Sequence, residues 1–503
     1  MKASGKNIPS ILNVLASQNL ILSGSTVFLL VFGLFVAVRF WHPAYYCLDG
    51  DEIFSLNIAR DSWSNLLPAV GSDLVHPPLS YFLLKAWVSI GGDGILWLRL
   101  LPTLLSVASV IPFLLLCRAL KLNSCVIGLA LYLIAVNGYL IYWAHDIRMY
   151  SLVLFLSLFS YWLFVRFYEE SENRPTTAFG LAVVNLLLIY THYFGFLVIS
   201  TEFAFLLFAA RRKLPIYALG VIFWTAAFIP WAYVVVHAAA ARNGFQQNLG
   251  WIPRPGIPEI AWFYATLNGA IRIEHSTLIG LLLFGIPALA ILLRDRPASF
   301  LRPTNGERGK WLLFAAASLP VVAAFCASRA LPQSIWGDRH LIIVSVPYFI
   351  LAATGIFEIN SNLIRRFAII AVTLWAGIAG FLNFNENLRP AWDKATLEMV
   401  SSEPASSPEV VVYTAEEVVG PILDFYLNEN NAPNFSIRTV ANADMMEGGH
   451  FWVVLRTQAG RQDKTMQENL ESRGYRIGNE FISDTPLERV TVFPVWRELP
   501  AAE

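Results

Sequence analysis

Charge is scarce in this chain: only 14% of its 503 residues are Asp, Glu, Lys or Arg, where a soluble domain carries about a quarter. Its 36 basic residues are balanced by 36 acidic ones, which excludes the basic face that a nucleic-acid partner requires. Cysteine is equally sparse. Cys47, Cys117, Cys125 and Cys326 are far apart and show no metal-ligand spacing, so they read as small apolar residues in or near membrane helices. No nucleotide fingerprint is present, since the Gly448-Gly449 pair alone does not make a phosphate loop. The absence of an internal repeat argues against an inverted-repeat transporter.

What the chain has in excess is apolar sequence. Hydrophobic residues make up 56% of it and the mean hydropathy is +0.53. Apolar runs of roughly 20 residues make it a polytopic α-helical membrane protein. Eleven spans are expected, near 20–41, 95–119, 124–143, 147–167, 176–191, 193–210, 214–237, 274–293, 311–329, 340–358 and 363–383. Lys2 and Lys6 precede the first, and no small-residue cleavage site follows it, so it reads as an uncleaved signal anchor. Arg118 and Lys121, Arg166 and Arg174, Arg211 to Lys213, Arg294 to Lys310, and Arg365-Arg366 fall on alternate loops. The positive-inside rule places those loops and the N-terminus in the cytoplasm. The expected location is then the bacterial inner membrane, as part of the cell envelope, with the first external loop at 42–94. Within that loop Pro77–Gly92 is apolar but only about 15 residues long, too short to span. Counting it as a span would invert every later loop, so it is expected to lie along the outer membrane face.

From about residue 385 the chain turns polar, with strand-like runs at 410–414, 451–456, 475–482 and 489–493 and helical stretches at 415–428 and 463–473. The expected division is a membrane domain over 1–384 and a small external, periplasmic α/β domain over 385–503.

Ionisable residues at membrane depth are costly and become functional candidates. They gather at the outer ends of the spans: Asp51-Glu52 and His76 in the first loop, then His145 to Tyr150 with Asp146 and Arg148, then His192, then Asp338-Arg339-His340. A carboxylate can deprotonate an acceptor hydroxyl, and Arg with His can hold a phosphate through bond breaking. Nucleotide sugars do not occur outside the cytoplasmic membrane, so an activated group there would arrive on a lipid. Asp51 and Glu52 also read as a loop acid and a helix N-terminal charge, Arg148 and Arg339 as snorkelling interface residues, and Arg99 as an anchor of the second span. Asp49, Asp61 and Asp73 read as solvated loop charges. No metal site is assigned, because Asp51, His76 and His192 lack ligand spacing; a divalent ion stays an open alternative as cofactor.

Four signatures occur in order: Asp51-Glu52 after the first span, HPPL at 76–79, IRMY at 147–150, and Arg339-His340 leading into the span near 340–358. Together with the turn Ala391-Trp392-Asp393, they resemble the bacterial membrane glycosyltransferases of the protein O-mannosyltransferase-like group (the dolichyl-phosphate-mannose-protein mannosyltransferase family), within the GT-C fold superfamily. The likeness covers roughly residues 20–400. It implies an inverting transfer of a sugar from a polyprenyl-phosphate donor to a lipid, glycan or protein acceptor at the external face. It also implies Asp51 as general base with Glu52 beside it, His76 near the reacting centre, and Arg148 and Arg339 at the donor phosphate; His76, His192 and His340 are candidates for the same phosphate from their place at the span ends. Asp146 and Tyr150 are further candidates. Two positions depart from the family pattern: Arg-Tyr becomes Arg339-His340, and a common Glu becomes Asp146. The rival readings are a lipid or solute transporter, which would keep working charges at mid-membrane, and a non-catalytic envelope scaffold.

Overall fold

The computed structural model describes residues 24–170, 174–241, 250, 252–271, 275–294, 305–386, 388–404, 407, 409–458, 464–486 and 488–497. Lys2, Lys6 and most of the loop between Arg294 and Lys310 lie outside these residues.

The body is a helical bundle. Helix α1 (Gly24–Phe40) leads into the first loop, which holds α2 (Gly50–Arg60), α3 (Leu66–Asp73) and α4 (Leu79–Gly91). Next come α5 (Ile95–Ala119), α6 (Ser124–Val136), α7 (Gly138–His145), α8 (Tyr150–Glu169), α9 (Pro175–Thr191), α10 (Gly195–Ala209) and α11 (Leu214–Ala241). The bundle is completed by α12 (Ile257–Leu267), α13 (Ser276–Ile291), α14 (Asn305–Ala330), α15 (Ile342–Phe357) and α16 (Asn362–Asn385). Six of these segments are long and apolar enough to cross a membrane, and α6 with α7, bent by 61° at Asn137, makes a seventh. α1, α9, α10 and α13 are apolar but shorter, and together these account for each of the eleven expected spans. α4 has only 13 residues, about 20 Å of helix against a hydrocarbon core of about 30 Å.

The bend has a local cause. Asn137 ends α6 and caps α7, accepting from Leu140 N at 3.1 Å. Arg39, at the end of α1, donates to the freed carbonyls of Ile134 and Ala135. Gly380 of α16 lies against the break so closely that a Cβ there would stand 1.9 Å from the Val136 oxygen. α7 thereby aims the turn 145–149 back toward the first loop. The connections carrying Arg118, Arg174 and Arg365-Arg366 lie at the opposite ends of α5, α9 and α16 from the polar residues of the loops, about 30 Å away by helix rise.

After α17 (Trp392–Ser402) the tail forms a sheet with two covering helices. Strands β1 (Val410–Thr414), β2 (Phe435–Thr439) and β3 (His450–Gln458) pair in parallel, with α18 (Val419–Glu429) as the first crossover. α19 (Thr465–Ser472), β4 (Tyr475–Ile477), β5 (Phe481–Asp484) and β6 (Glu488–Arg497) follow, the last antiparallel to β3. The sheet order is β2-β1-β3-β6-β4, with β5 also on β6. The single strand expected over 475–482 is two, because Gly478 packs under the Trp496 ring where a Cβ would stand 2.5 Å away. β2, a five-residue edge strand, alternates over only two apolar positions, Phe435 and Ile437, too few to stand out in the sequence.

One sheet face shares its core with the first loop. Val412, Trp452 and Val492 pack with Ile422 and Leu423 of α18, Trp392 and Met399 of α17, and Leu48, Ile53 and Leu56 around α2. Tyr426 donates to the Leu48 carbonyl at 3.0 Å, and Ala391 N to Ser483 Oγ at 2.8 Å. The tail is therefore a wall against which α2 is set.

Candidate functional site

Helix α2 begins with a capping box. The Asp49 carboxylate accepts from Glu52 N at 2.9 Å, and Glu52 returns the contact to Asp49 N. The adjacent acids Asp51 and Glu52 then face opposite ways. Glu52 is fully buried, whereas the Asp51 side chain keeps 45% of its surface exposed.

Glu52 is the hub of an inner ionic cluster. Arg99 and Arg389 both pair with it, and Ile147 N donates to it at 2.9 Å. Arg389 also reaches Asp146 at 2.7 Å and Asp49 at 3.5 Å, with its guanidinium over the Tyr142 ring. Burial, with Glu52 and Asp49 alongside, pushes the Asp146 carboxyl up to about 7 in spite of Arg389. Each Glu52 oxygen is taken by a guanidinium, so this carboxylate is structural and has no lone pair to offer a reacting group.

The outer cluster is built on Asp51. Its carboxylate pairs with Arg339 at 2.9 Å, while Arg148 donates to the Asp51 carbonyl at 3.0 Å and to Ser55 Oγ at 2.9 Å. Burial would raise Asp51, but Arg148, Arg339 and His76 outweigh it and hold the carboxyl at about 2. The left-handed turn at Leu74 (φ 62°) swings His76 in behind Arg148. His76 Nδ1 meets Asp73 Oδ2 at 2.7 Å, and Tyr81 donates to the same oxygen at 3.0 Å. His192 and His340 complete the group, with ring centroids 5.7 and 6.5 Å from that of His76, and Tyr150 stacks on His340 at 6.3 Å.

The geometry brings Asp51, His76, Arg148, His192, Arg339 and His340 to one place and puts Glu52 and Asp146 in the adjoining ionic core. Three partners went unrecognised in the sequence. Asp73 is no solvated loop charge but a buried carboxylate (9% exposed). Arg99 does not anchor a span at the interface; it is 1% exposed and bound to Glu52. Arg389 had one signal, its place just before Pro390 and the Ala391-Trp392-Asp393 turn. Asp49 also has a specific task, as cap and as ion partner. Asp61 is exposed, as a loop charge should be.

Among the described residues, two groups bring three ligand-type atoms within 4.8 Å of one another: Asp49, Glu52 and Asp146, and His76, His192 and His340. The first does not fit a metal ion. Arg389 contacts all three carboxylates and occupies the position that a cation would need.

No protein-family model and no curated protein matches the chain. Solved structures do resemble it in fold. The oligosaccharyltransferase AglB from Archaeoglobus fulgidus, in complex with an inhibitory peptide and a dolichol-phosphate, aligns at TM-score 0.53 and 14% identity over 86% of this chain and 69% of that one. An Archaeoglobus fulgidus oligosaccharyltransferase in complex with Zn and sulfate aligns at 0.51 and 14% over 81% of this chain, which spans only 62% of that one. ArnT from Cupriavidus metallidurans bound to undecaprenyl phosphate aligns at 0.50 and 13% over 95% of this chain and 98% of that one. The chain is thus an integral membrane protein of GT-C-like fold, a helical body with a small C-terminal sheet domain.

Proposed function

We infer that this chain is a membrane glycosyltransferase that takes a sugar from a polyprenyl-phosphate donor and passes it to an acceptor at the external membrane face, with inversion. The observation that carries this is the outer cluster, where one part-exposed carboxylate, Asp51, is flanked by two arginines, in a chain that also holds an apolar groove lined from the same loop. That groove, about 520 Å³, opens beside Pro78, Leu79 and Phe82 and is walled by Leu187, Tyr190, Pro230 and Trp231. It starts two residues beyond His76 and suits an isoprenoid chain whose phosphate lies against Arg148 and Arg339. The solved neighbours named with dolichol-phosphate or undecaprenyl phosphate support the same donor class.

In this reading an acceptor hydroxyl lies near Asp51 and attacks the anomeric carbon. The new carbon–oxygen bond forms as the bond to the phosphate oxygen breaks. The polyprenyl phosphate leaves with the electron pair and Asp51 takes the hydroxyl proton. With its carboxyl held at about 2, Asp51 is a weak base while Arg339 is bound to it. A donor phosphate competes for Arg339, loosens that ion pair and raises the basicity of Asp51, so the base is strengthened when the donor is in place.

Binding of undecaprenyl phosphate to protein in nanodiscs tests the reading. Wild type is expected to bind it, and Arg148→Ala and Arg339→Ala to weaken it roughly 10- to 100-fold through a lost charge-assisted contact. Equal affinity in all three would remove the arginines from the phosphate. A second expectation concerns pH. Arg339→Gln deletes a cation that favours the carboxylate, so the Asp51 pKa rises and the acidic limb of the transfer profile moves to higher pH; an unmoved limb would detach Arg339 from Asp51.

The transporter alternative fares less well. Glu202, an acid in the middle of α10, is fully buried and held by Ser160, Asn185 and Tyr217, a satisfied packing network.

A further inference from the structure

The three buried imidazoles beside Asp51 invite two simple assignments, a metal ion or the donor phosphate. Their hydrogen bonds argue for neither. His192 Nδ1 accepts the backbone N–H of Phe194 at 3.0 Å. A neutral imidazole carries one proton, so that of His192 sits on Nε2, which is buried and finds no hydrogen-bond partner among the described residues. Burial lowers the His192 pKa well below its usual value, which keeps the ring neutral. His192 therefore offers a donor, and its Nε2 has no lone pair for a metal.

His76 is oriented the other way. Asp73 stays ionised, because His76, Arg148 and Tyr81 together outweigh its burial. Its carboxylate can only accept, so His76 Nδ1 carries a proton, and burial with Arg148 alongside lowers the pKa of the ring, leaving it neutral with the lone pair on Nε2. Arg148 Nη2 lies 3.2 Å from both nitrogens of this ring. An atom equidistant from the two sits over the ring face and leaves the in-plane lone pair open. His340 contributes two buried nitrogens, neither with a hydrogen-bond partner among the described residues. Since one nitrogen of each ring lies within 4.8 Å of the other two, some point is within about 2.8 Å of all three, inside hydrogen-bond reach.

Three imidazoles this close together, one with a spare donor, one with a spare acceptor and a third with both nitrogens unpartnered among the described residues, match a group that both gives and accepts a hydrogen bond. A phosphoryl oxygen has no proton for His76, and a metal needs a lone pair that His192 lacks. A hydroxyl satisfies both. We propose that His76, His192 and His340 form a hydroxyl-recognition site that reads one ring hydroxyl of the donor sugar. The proposal rests on the transferase reading and moves these three residues from the lipid phosphate to the sugar. Asp73 and Phe194 N are then positioning groups that fix the tautomers.

The test uses bare undecaprenyl phosphate and undecaprenyl-phosphate glucose, galactose, mannose and arabinose, with the monodeoxy analogues of each, on protein in nanodiscs. One hydroxyl is expected to matter, its deletion weakening wild-type affinity roughly 100-fold, because buried partners are left unpaired. In His192→Phe that penalty should shrink below about 3-fold, while bare undecaprenyl phosphate binds as before. His192→Gln, which keeps a donor, should retain part of the penalty. Nitrogen-15 spectra of histidine-labelled wild type should show the proton on Nε2 of His192 and on Nδ1 of His76, a result independent of how well the variants fold. The proposal is overturned if no deoxy penalty depends on His192, if the tautomers are reversed, or if His192→Phe loses the bare lipid. Stoichiometric zinc held by wild type and lost in His192→Phe would equally overturn it. Wild type that fails to bind bare undecaprenyl phosphate would instead remove the transferase reading and this proposal with it.

Discussion

Asp51→Asn is expected to lower sugar transfer about 10³-fold while leaving the protein folded and the donor bound. The change is isosteric and removes only the capacity to accept a proton. Asp51 lies outside the inner ionic cluster, with nearly half its side-chain surface exposed, so the thermal transition should barely move. Donor affinity should hold or rise, because the amide no longer competes with a phosphate for Arg339. Transfer rate and undecaprenyl phosphate affinity, measured on one preparation, separate these effects. Undiminished transfer would remove Asp51 from the role of base. Glu52→Gln makes the contrast: both Glu52 oxygens are already occupied by guanidinium groups, so that substitution should appear first as lost stability.

Arg389→Ala should be the most damaging single change in the site. It strips a guanidinium from Glu52, Asp146 and Asp49 at once and leaves buried acids short of partners. Breaking one side of a buried ion pair costs about 3–5 kcal/mol, enough for a large drop in the thermal transition and, through misplacement of α2, for loss of transfer. Arg389→Lys should recover only part of the stability, since a single ammonium cannot bridge several carboxylates as the planar fork does. A melting curve that matches wild type for Arg389→Ala would show that the cluster is not what holds α2.

The membrane body could be read from the sequence because its signal is summed over many residues: a run of 20 apolar side chains survives any error at its ends. The same summation failed for β2, five residues at a sheet edge, and for the break at Gly478, which depends on the Trp496 ring lying against it. In the site, Asp51, Arg148 and Arg339 stood out because they fall in an ordered series of motifs at span ends, although each also had a plainer reading on its own. Asp73 was misread because a loop acid is usually solvated, and only the fold, through the turn at Leu74, brings His76 and Tyr81 back onto it. Arg99 was misread for a similar reason, as an arginine near a span end usually snorkels. Arg389 pairs with acids some 340 positions upstream, and no local pattern reports a partner so remote. The imidazole tautomers depend on a single backbone N–H and a single carboxylate, which spacing cannot encode.

The shared core between the C-terminal sheet and α2 has a bearing on how the chain is made. Glu52 emerges from the ribosome early, and Arg389 only after 337 further residues. Domains generally form in the order of synthesis, yet here Glu52 has only Arg99 until the last quarter of the chain is made and brings Arg389 to Glu52, Asp49 and Asp146. Until then three carboxylates and the apolar side of α2 stay uncovered outside the bundle. A stalled or truncated polypeptide would carry that unfinished surface permanently, a mark by which quality-control proteases could tell an incomplete copy from a finished one.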